Sequence, residues 1–523
     1  MASEIKILSA TDASAQDPDD VSGVPELPEF VEWINKGIAT ITNKTEHEQR
    51  TMEQFQQLIA KTRPPIIAFV GGRGSGKSAV LNCIFGQYIC PEGDIAQTGV
   101  AQRLKLEVRQ AAGAQPRRMD LLDTRGFGEA NKPVGNTNDE DNPIDSFVKA
   151  AKGKKIDVVL FLHKATSMGD VLLTKAIQDF GSACEKAAIP KSTPLIGVMT
   201  HIDEINPGKN DKNLKALYSK VHPSNMEQTR MRNILDLEIV FEKHLSDDHR
   251  QITEMFVSGG NKIISVEALV AGWGFPVQDG ALFANEFVDV KNLHKCQAID
   301  GKFGNIMKPE EKGYCVPLKD NDFRYGLDKL MEKIYNLVAD DAKYEAARLS
   351  SLLQIKQDMA DRIINVIVSM SVICAPVPVV GPLLVWSLCI IMVHQIASLA
   401  EQRISIWKCA KFILGYLAID TGISIVALVA AGAALFGYFI AETLALEIAA
   451  LFGVGVIAVS EFCFKIWLLG KYASWTFLDN LPGKEIAKRM EEEKKKSKEQ
   501  REKDIANWKS GDNQLPGTTA SFA

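Results

Sequence analysis

The chain has 523 residues, of which 46% are hydrophobic, 24% charged and 7% aromatic, a balance that excludes wholesale disorder, collagen-like repetition and a disulfide miniprotein and implies two to four domains. The formal charge of −5 is concentrated at the front: residues 1–32 hold the acids Glu4, Asp12, Asp17, Asp19, Asp20, Glu26, Glu29 and Glu32 against Lys6 alone, so the remainder is close to neutral and no nucleic-acid partner is expected. Nine cysteines, an odd number without C-x-x-C or zinc spacing, read as reduced thiols in the cytosol.

Residues 1–27 are rich in Asp, Ser and Pro and predict a disordered acidic tail. Met1 to Ser14 carries no basic stretch followed by an apolar core, and Ala2 stands where myristoylation needs glycine, so the front of the chain is expected to face the cytosol. Over residues 28–63, Phe30, Ile34, Ile38 and Ile41 and then Met52, Phe55 and Ile59 recur at helical spacing, which predicts one or two amphipathic helices as a lid or brace on the next domain. Pro64-Pro65 ends them, and the apolar run Ile66-Ile67-Ala68-Phe69-Val70 predicts a buried parallel strand. Further strands are expected near Arg103–Arg109, Met119–Leu122, Asp157–Leu162 and Pro194–Met199, with helices between most of them. That alternation predicts an α/β doubly wound domain over residues 64–340. Within it, 205–312 reads as an insertion, and Tyr314–Leu318 with Gly326, Leu327, Leu330, Ile334 and Leu337 reads as a last strand and helix.

Three motifs carry chemistry. Gly71-Gly72-Arg73-Gly74-Ser75-Gly76-Lys77-Ser78, between the first strand and the helical run from Ala79, satisfies G-x-x-x-x-G-K-[ST]. Such a loop turns successive N–H groups toward phosphate, with Lys77 reaching the β- and γ-phosphates and Ser78 ligating Mg²⁺. Asp123-Thr124-Arg125-Gly126 follows a strand as D-x-x-G: Asp123 holds the metal through water and the Gly126 N–H senses the γ-phosphate. Thr98, between the first helix and the second strand, is placed to close over metal and γ-phosphate. Thr200-His201-Ile202-Asp203 fits [NT]-K-x-D with histidine for lysine. Asp203 would accept two hydrogen bonds from guanine N1 and N2, and His201 would lie against the base, which favours guanine over adenine. The last base-contacting loop is either Val316-Pro317-Leu318-Lys319 or Val257-Ser258-Gly259.

Together these motifs resemble GTPases of the Ras, Era and dynamin kind over about residues 64–340, and Val70 to Asn82 is particularly similar to the dynamin-type P-loop. The resemblance implies a GTP/GDP- and Mg²⁺-binding, GTP-hydrolysing switch, with a G-domain homodimer as one partner arrangement. Two positions depart from it. Phe127 stands where Ras-like enzymes carry a water-orienting glutamine, and His201 replaces the usual lysine. In dynamin-like proteins the third P-loop position assists catalysis, so Arg73 would reach transition-state charge there; the other reading of Arg73 is a solvated surface residue.

Residues 341–480 predict a helical hydrophobic domain. Ile363–Val393 is 31 residues without a charge, interrupted by Pro376, Pro378, Gly381 and Pro382, which predicts two helices dipping into a bilayer as a hairpin. Thr421–Ala441, 21 charge-free residues, is long enough for a transmembrane helix, with Ile448–Ser460 as its return. Arg362, Arg403, Lys408, Lys411, Lys465 and Lys471 all fall outside the hairpins, consistent with termini on the cytoplasmic face of an intracellular membrane and with membrane lipid as a partner. The alternative is a soluble helical bundle, as in interferon-inducible GTPases. Residues 481–523 predict a charged helix and a flexible tail.

Overall fold

Ile66-Ile67-Ala68-Phe69-Val70 escapes water on both faces only as an interior strand, and the computed structural model of the chain places it there, with Ile67 to Val70 almost fully buried. The structure describes residues 5–8, 31–32, 34–36, 45–72, 74–85, 102–108, 117–123, 127, 143–169, 171–206, 224–268, 272–274, 287–289, 325–350, 352–375, 381–421 and 455–509. They fall into two units, Met1–Asp20 with Lys61–Lys356, and Val21–Ala60 with Gln357–Ala523.

In chain order the elements begin with β1 (Ile5–Leu8) and α1 (Glu46–Phe55), followed by β2 (Ile66–Gly71), α2 (Lys77–Phe85), β3 (Gln102–Val108), β4 (Arg117–Asp123) and α3 (Pro143–Ala151). Next come β5 (Val158–Lys164), α4 (Val171–Lys186), β6 (Leu195–Thr200), α5 (Asn225–Asp247), α6 (Arg250–Ser258) and β7 (Ile263–Ser265). A short antiparallel pair, β8 (Gly272–Gly274) and β9 (Phe287–Asp289), precedes α7 (Leu327–Leu337) and α8 (Asp340–Leu349).

The main sheet has seven strands in the order β1-β3-β4-β2-β5-β6-β7. From β4 to β7 every neighbouring pair is parallel, and β3 and β1 extend the sheet antiparallel at one edge. Parallel neighbours need crossovers, which α3, α4 and the α5–α6 pair supply. The expected doubly wound α/β domain is therefore present. Its core is aromatic: Phe127, Phe147 and Phe180 meet edge to face with centroids 5.3–6.1 Å apart.

Arg63 pins the sheet at the end where β2 and β5 begin. Its guanidinium donates to both carboxylate oxygens of Asp157 at 2.6 and 2.7 Å and through Nε to Asp341 of α8 at 2.9 Å. Asp157 Oδ2 also accepts from the Ile66 N–H at 2.9 Å. The hydrogen bond to Asp157 pushes the Arg63 guanidinium further above its ordinary range, so it stays charged.

Several expectations about organisation change. Ile5–Leu8, inside the stretch read as acidic tail, pairs with β3 as an edge strand, because this apolar run precedes the acidic cluster; the rest of 1–27 lies outside the described residues. The stretch read as an insertion is in part integral, since α5, α6 and β7 complete the sheet. That role is hidden in sequence because α5 buries Ile234, Phe241 and Leu245 while exposing Leu235 and Ile239, which blurs its helical period. The first unit extends to Lys356 rather than ending at 340, because α8 packs on β4 and α7. The described residues between 21 and 60 fall in the second unit.

In the second unit, α1 opens with a capping box, Thr45 receiving the Glu48 N–H and returning its own to the Glu48 carboxylate. It continues through a π-helical turn at Gln56–Ala60. The other helices are α9 (Leu353–Cys374), α10 (Gly381–Leu399), α11 (Ile406–Thr421), α12 (Gly455–Phe477) and α13 (Gly483–Lys509). The break between α9 and α10 falls at the Pro/Gly stretch where the sequence predicts it. The apolar residues of α10, among them Leu384, Leu388, Ile391 and Val393, are buried within this unit, where the helix packs on α11 and α12. Gly470 of α12 admits Ile364 of α9, since a Cβ there would stand 2.5 Å from Ile364 Cγ1. Among the described residues no helix is long and apolar enough to cross a membrane, and the described apolar residues of the charge-free run 363–393 are mostly buried. Residues 422–454, with almost all of the Thr421–Ala441 candidate, lie outside the described residues. The last helix, α13, carries solvated ion pairs such as Glu493–Lys496 at 2.7 Å.

Candidate nucleotide-binding site

The site is assembled at the ends of β2, β5, β6 and β7, where a parallel sheet delivers its loops to one edge. Past β2 the chain adopts positive φ at Gly74 (+67°) and Gly76 (+81°), conformations costly for residues with a Cβ. Gly71 has no room for a side chain, since a Cβ would lie 2.2 Å from the Leu162 carbonyl oxygen on β5. Helix α2 starts at Lys77, and Val80 N donates to Gly76 O at 2.9 Å. The N–H groups of Lys77, Ser78 and Ala79 then have no intrahelical acceptor, and the positive end of the helix dipole faces outward with them. Lys77 Nζ donates to Gly71 O and Gly72 O at 3.1 and 2.9 Å, which keeps the ammonium over the loop.

Ser75 Oγ tests whether this loop suits a phosphate. The residue is 3% exposed, and its hydroxyl has no hydrogen-bond partner among the described residues. An orphaned buried hydroxyl costs about 1–3 kcal/mol, a cost that a ligand oxygen would remove. With two left-handed glycines and the positive end of a helix dipole beside them, the loop fits a di- or triphosphate chain.

The T-H-x-D motif meets the loop directly. Thr200 Oγ1 lies 2.9 Å from Ser75 O, 3.2 Å from His163 O and 3.0 Å from His201 Nδ1. One hydroxyl thereby joins the phosphate loop, β5 and the turn after β6. His201 adopts the left-handed conformation (φ 55°, ψ 34°), unusual for a residue with a Cβ. Its Cε1 would lie 3.4 Å from a Cβ on Gly76, so the ring edge flanks the phosphate loop. Asp203 follows in the 3-10 turn Ile202–Glu204. Lys164, the last residue of β5, pairs with Glu204 at 3.1 Å.

Asp123 ends β4 beside Phe69 of β2, at the same sheet edge as the loop. Arg73, Thr98 and Gly126 lie outside the described residues. Phe127 is 1% exposed and packs into the aromatic core, so the side chain at the water-orienting position of Ras-like enzymes faces away from the site. Phe127→Gln is accordingly expected to destabilise the domain by about 3 kcal/mol without raising nucleotide turnover, as chemical denaturation and a phosphate-release assay would show together.

The structure decides against Val257-Ser258-Gly259 as a base-contacting loop. Gly259 ends α6 against the carbonyl of Leu195, the first residue of β6, while Thr200 at the last residue touches the phosphate loop; the strand between them spans roughly 16 Å. Val316–Lys319 lies outside the described residues. The segment Ser265-Val266-Glu267-Ala268 is in the right place. Val266 N donates to Met199 O at 2.8 Å, and Cys83 Sγ of α2 donates to Ala268 O at 3.1 Å. Sequence reading missed it because its strand, β7, has only three residues. The only signal was Ile263-Ile264 after the turn Gly259-Gly260-Asn261.

Strand order and glycine-lysine loop define the class at the level of fold: the first unit has the fold of a P-loop G domain. No protein-family model matches the chain, and no curated protein matches it. Among solved structures it is similar to Toc33 from Arabidopsis thaliana, with 17% identity, 53% of this chain and 98% of that one covered, and a TM-score of 0.27. It is also similar to Era in complex with MgGDPNP and a piece of 16S ribosomal RNA (18%, 55% and 68% covered, TM-score 0.24). A third is a structure of an oligomerised bacterial dynamin pair (13%, 92% and 80% covered, TM-score 0.28). At these scores the class rests on the chain's own strand order and site.

Proposed function

We propose that this protein binds GTP and hydrolyses it to GDP and phosphate, acting as a guanine-nucleotide switch. The observation that carries the reading is the join made by Thr200. It fastens the phosphate loop, through Ser75 O, to the turn that carries Asp203, so phosphate grip and base recognition are held at a fixed spacing. Asp203 accepts from guanine N1–H and N2–H, donors that adenine does not present there, and His201 flanks the base. Lys77 and the α2 N-terminus hold the β- and γ-phosphates. Water attacks the γ-phosphorus in line, the bond to the β–γ bridging oxygen breaks, and the charge that gathers on that oxygen is met by Lys77 and the loop amides. Ser78, Thr98 and Asp123 are the residues that would hold Mg²⁺, which when bound neutralises phosphate charge. With Phe127 in the core, no side chain at that position orients the water. Slow basal turnover follows, with Arg73 and a second G domain as the candidates for accelerating it.

Membrane association is a further part of this reading. It is supported by the 21 charge-free residues Thr421–Ala441 and by basic residues confined to the ends of the apolar stretches, and it would place the G domain on a cytoplasmic membrane face. The burial of α10 among its neighbours favours the other reading, a helical bundle that needs no lipid.

The test is turnover of GTP and ATP by the full chain, with and without anionic liposomes, beside Asp203→Ala. GTP-selective turnover that is lost in the variant is the expected result. Equal use of ATP would end the guanine reading, and binding without turnover would leave a nucleotide-binding scaffold. Stimulation and co-flotation with liposomes are expected if the membrane reading holds; their absence favours the bundle.

A further inference from the structure

Helix α5 is capped by Ser224 and Glu227 and lays one face along the turn that carries Asp203. Arg230 on that face is 2% exposed, an unusual burial for arginine, and its Nη2 donates to the backbone carbonyl of Asp203 at 2.9 Å. One turn on, Asn233 Nδ2 donates to Asn206 O at 2.7 Å. Ile234, on the same side, enters the core that also contains Ile202 and Ile205. The 3₁₀ turn is thus held at Asp203, and the chain just past it at Asn206, by side chains from a helix that follows the T-H-x-D motif in sequence.

From this we propose that Arg230 is the residue that sets guanine selectivity without touching the nucleotide, with Asn233 as its lesser partner; the inference rests on the guanine reading above. A carboxylate that must accept two hydrogen bonds from one base edge is effective only within a few tenths of an ångström of its place. Asp203 has two neighbours that fix its surroundings from the sheet side, Thr200 and the Lys164–Glu204 pair. Among the described residues, Arg230 is the one whose side chain bonds the carbonyl of Asp203 itself. A charge-assisted bond to a part-buried carbonyl is among the stronger protein hydrogen bonds, and arginine extends it across the gap from α5 where a shorter donor falls short. Loss of Arg230 frees the turn to shift relative to the base, while Lys77 and the α2 amides keep the phosphates. Affinity for the base edge then falls and affinity for the diphosphate does not.

The experiment is a titration of the full-length chain with mant-GDP, mant-IDP and mant-ADP. IDP lacks the N2 amino group and ADP lacks both guanine donors, so the two ratios to GDP read the Asp203 contacts separately. In the unaltered protein GDP is expected to bind best. In Arg230→Ala the GDP affinity is expected to fall on the order of tenfold, with ADP affinity unchanged, so that the GDP/IDP and GDP/ADP ratios collapse together. Arg230→Lys should restore part of the ratio. Asn233→Ala, a half-buried position with little bearing on folding, should lower it in the same direction by a smaller factor. Thermal melting of each variant reports its folding. Equal weakening of all three nucleotides, or unchanged ratios in both alanine variants, would overturn the proposal. No guanine preference in the unaltered protein would remove the guanine reading, and this inference with it.

Discussion

Lys77→Ala is expected to weaken GTP and GDP binding by two to three orders of magnitude and to abolish turnover. Its ammonium sits over the loop, donating to Gly71 O and Gly72 O, and these carbonyls give it a resting place from which a phosphate oxygen is a stronger acceptor. Hydrogen bonds to charged groups are worth about 1.5–3 kcal/mol each. Contacts to two phosphates therefore account for roughly 3–5 kcal/mol. Fold stability should move much less, because the positive φ angles of Gly74 and Gly76 and the Thr200 bond to Ser75 O, which shape the loop, do not involve the ammonium. A fluorescent-nucleotide titration beside a thermal melt separates the two effects. Unchanged affinity would refute the assignment of the loop. Equal loss of affinity and melting temperature would make Lys77 a structural residue instead.

The largest effect on folding is expected far from the nucleotide. Asp157→Ala should destabilise the first unit by about 3–5 kcal/mol, more than any change at the phosphate loop. The Asp157 side chain is fully buried and accepts three hydrogen bonds, two from Arg63 and one from the Ile66 N–H that opens β2. Truncating it leaves a part-buried guanidinium and a backbone donor with no acceptor, and such breakage costs far more than the intact pair contributes. Asp341→Ala should cost only about 1 kcal/mol, since that carboxylate is a third exposed and bonded through Nε alone. Urea unfolding followed by a probe in the first unit ranks the two. Equal midpoints would show that Arg63 finds solvent easily and that the sheet does not depend on it.

The parts of the site legible in sequence were those whose chemistry is local. Gly71 to Ser78 can be read from eight consecutive residues because a phosphate loop is built from its own backbone: the glycines needed for positive φ at 74 and 76 are in the motif itself. Asp123 and Thr200–Asp203 were legible because each closes an apolar strand, and the parallel sheet sends all such ends to one edge. The proline- and glycine-rich break after Cys374 was readable for a similar reason, since those residues end helices in any context.

What sequence left open depends on residues far apart in the chain. Arg230 reads as one more charged residue on a helix until the fold brings its guanidinium to Asp203 O. Phe127 reads as a departure from a catalytic pattern until the structure shows it among Phe147 and Phe180. The three residues of β7 are too short for a periodic signal, so the position of Ser265–Ala268 beside β6 and α2 emerged only from the structure. The charge-free run Ile363–Val393 satisfies a bilayer and a helical core equally well, because both reward the same removal of apolar surface from water. Composition and motif by themselves determined that the chain carries a phosphate loop on a doubly wound sheet followed by apolar helices. Only the tertiary structure decided which groups face the nucleotide, which are buried behind it, and that most apolar side chains of α9 and α10 are buried.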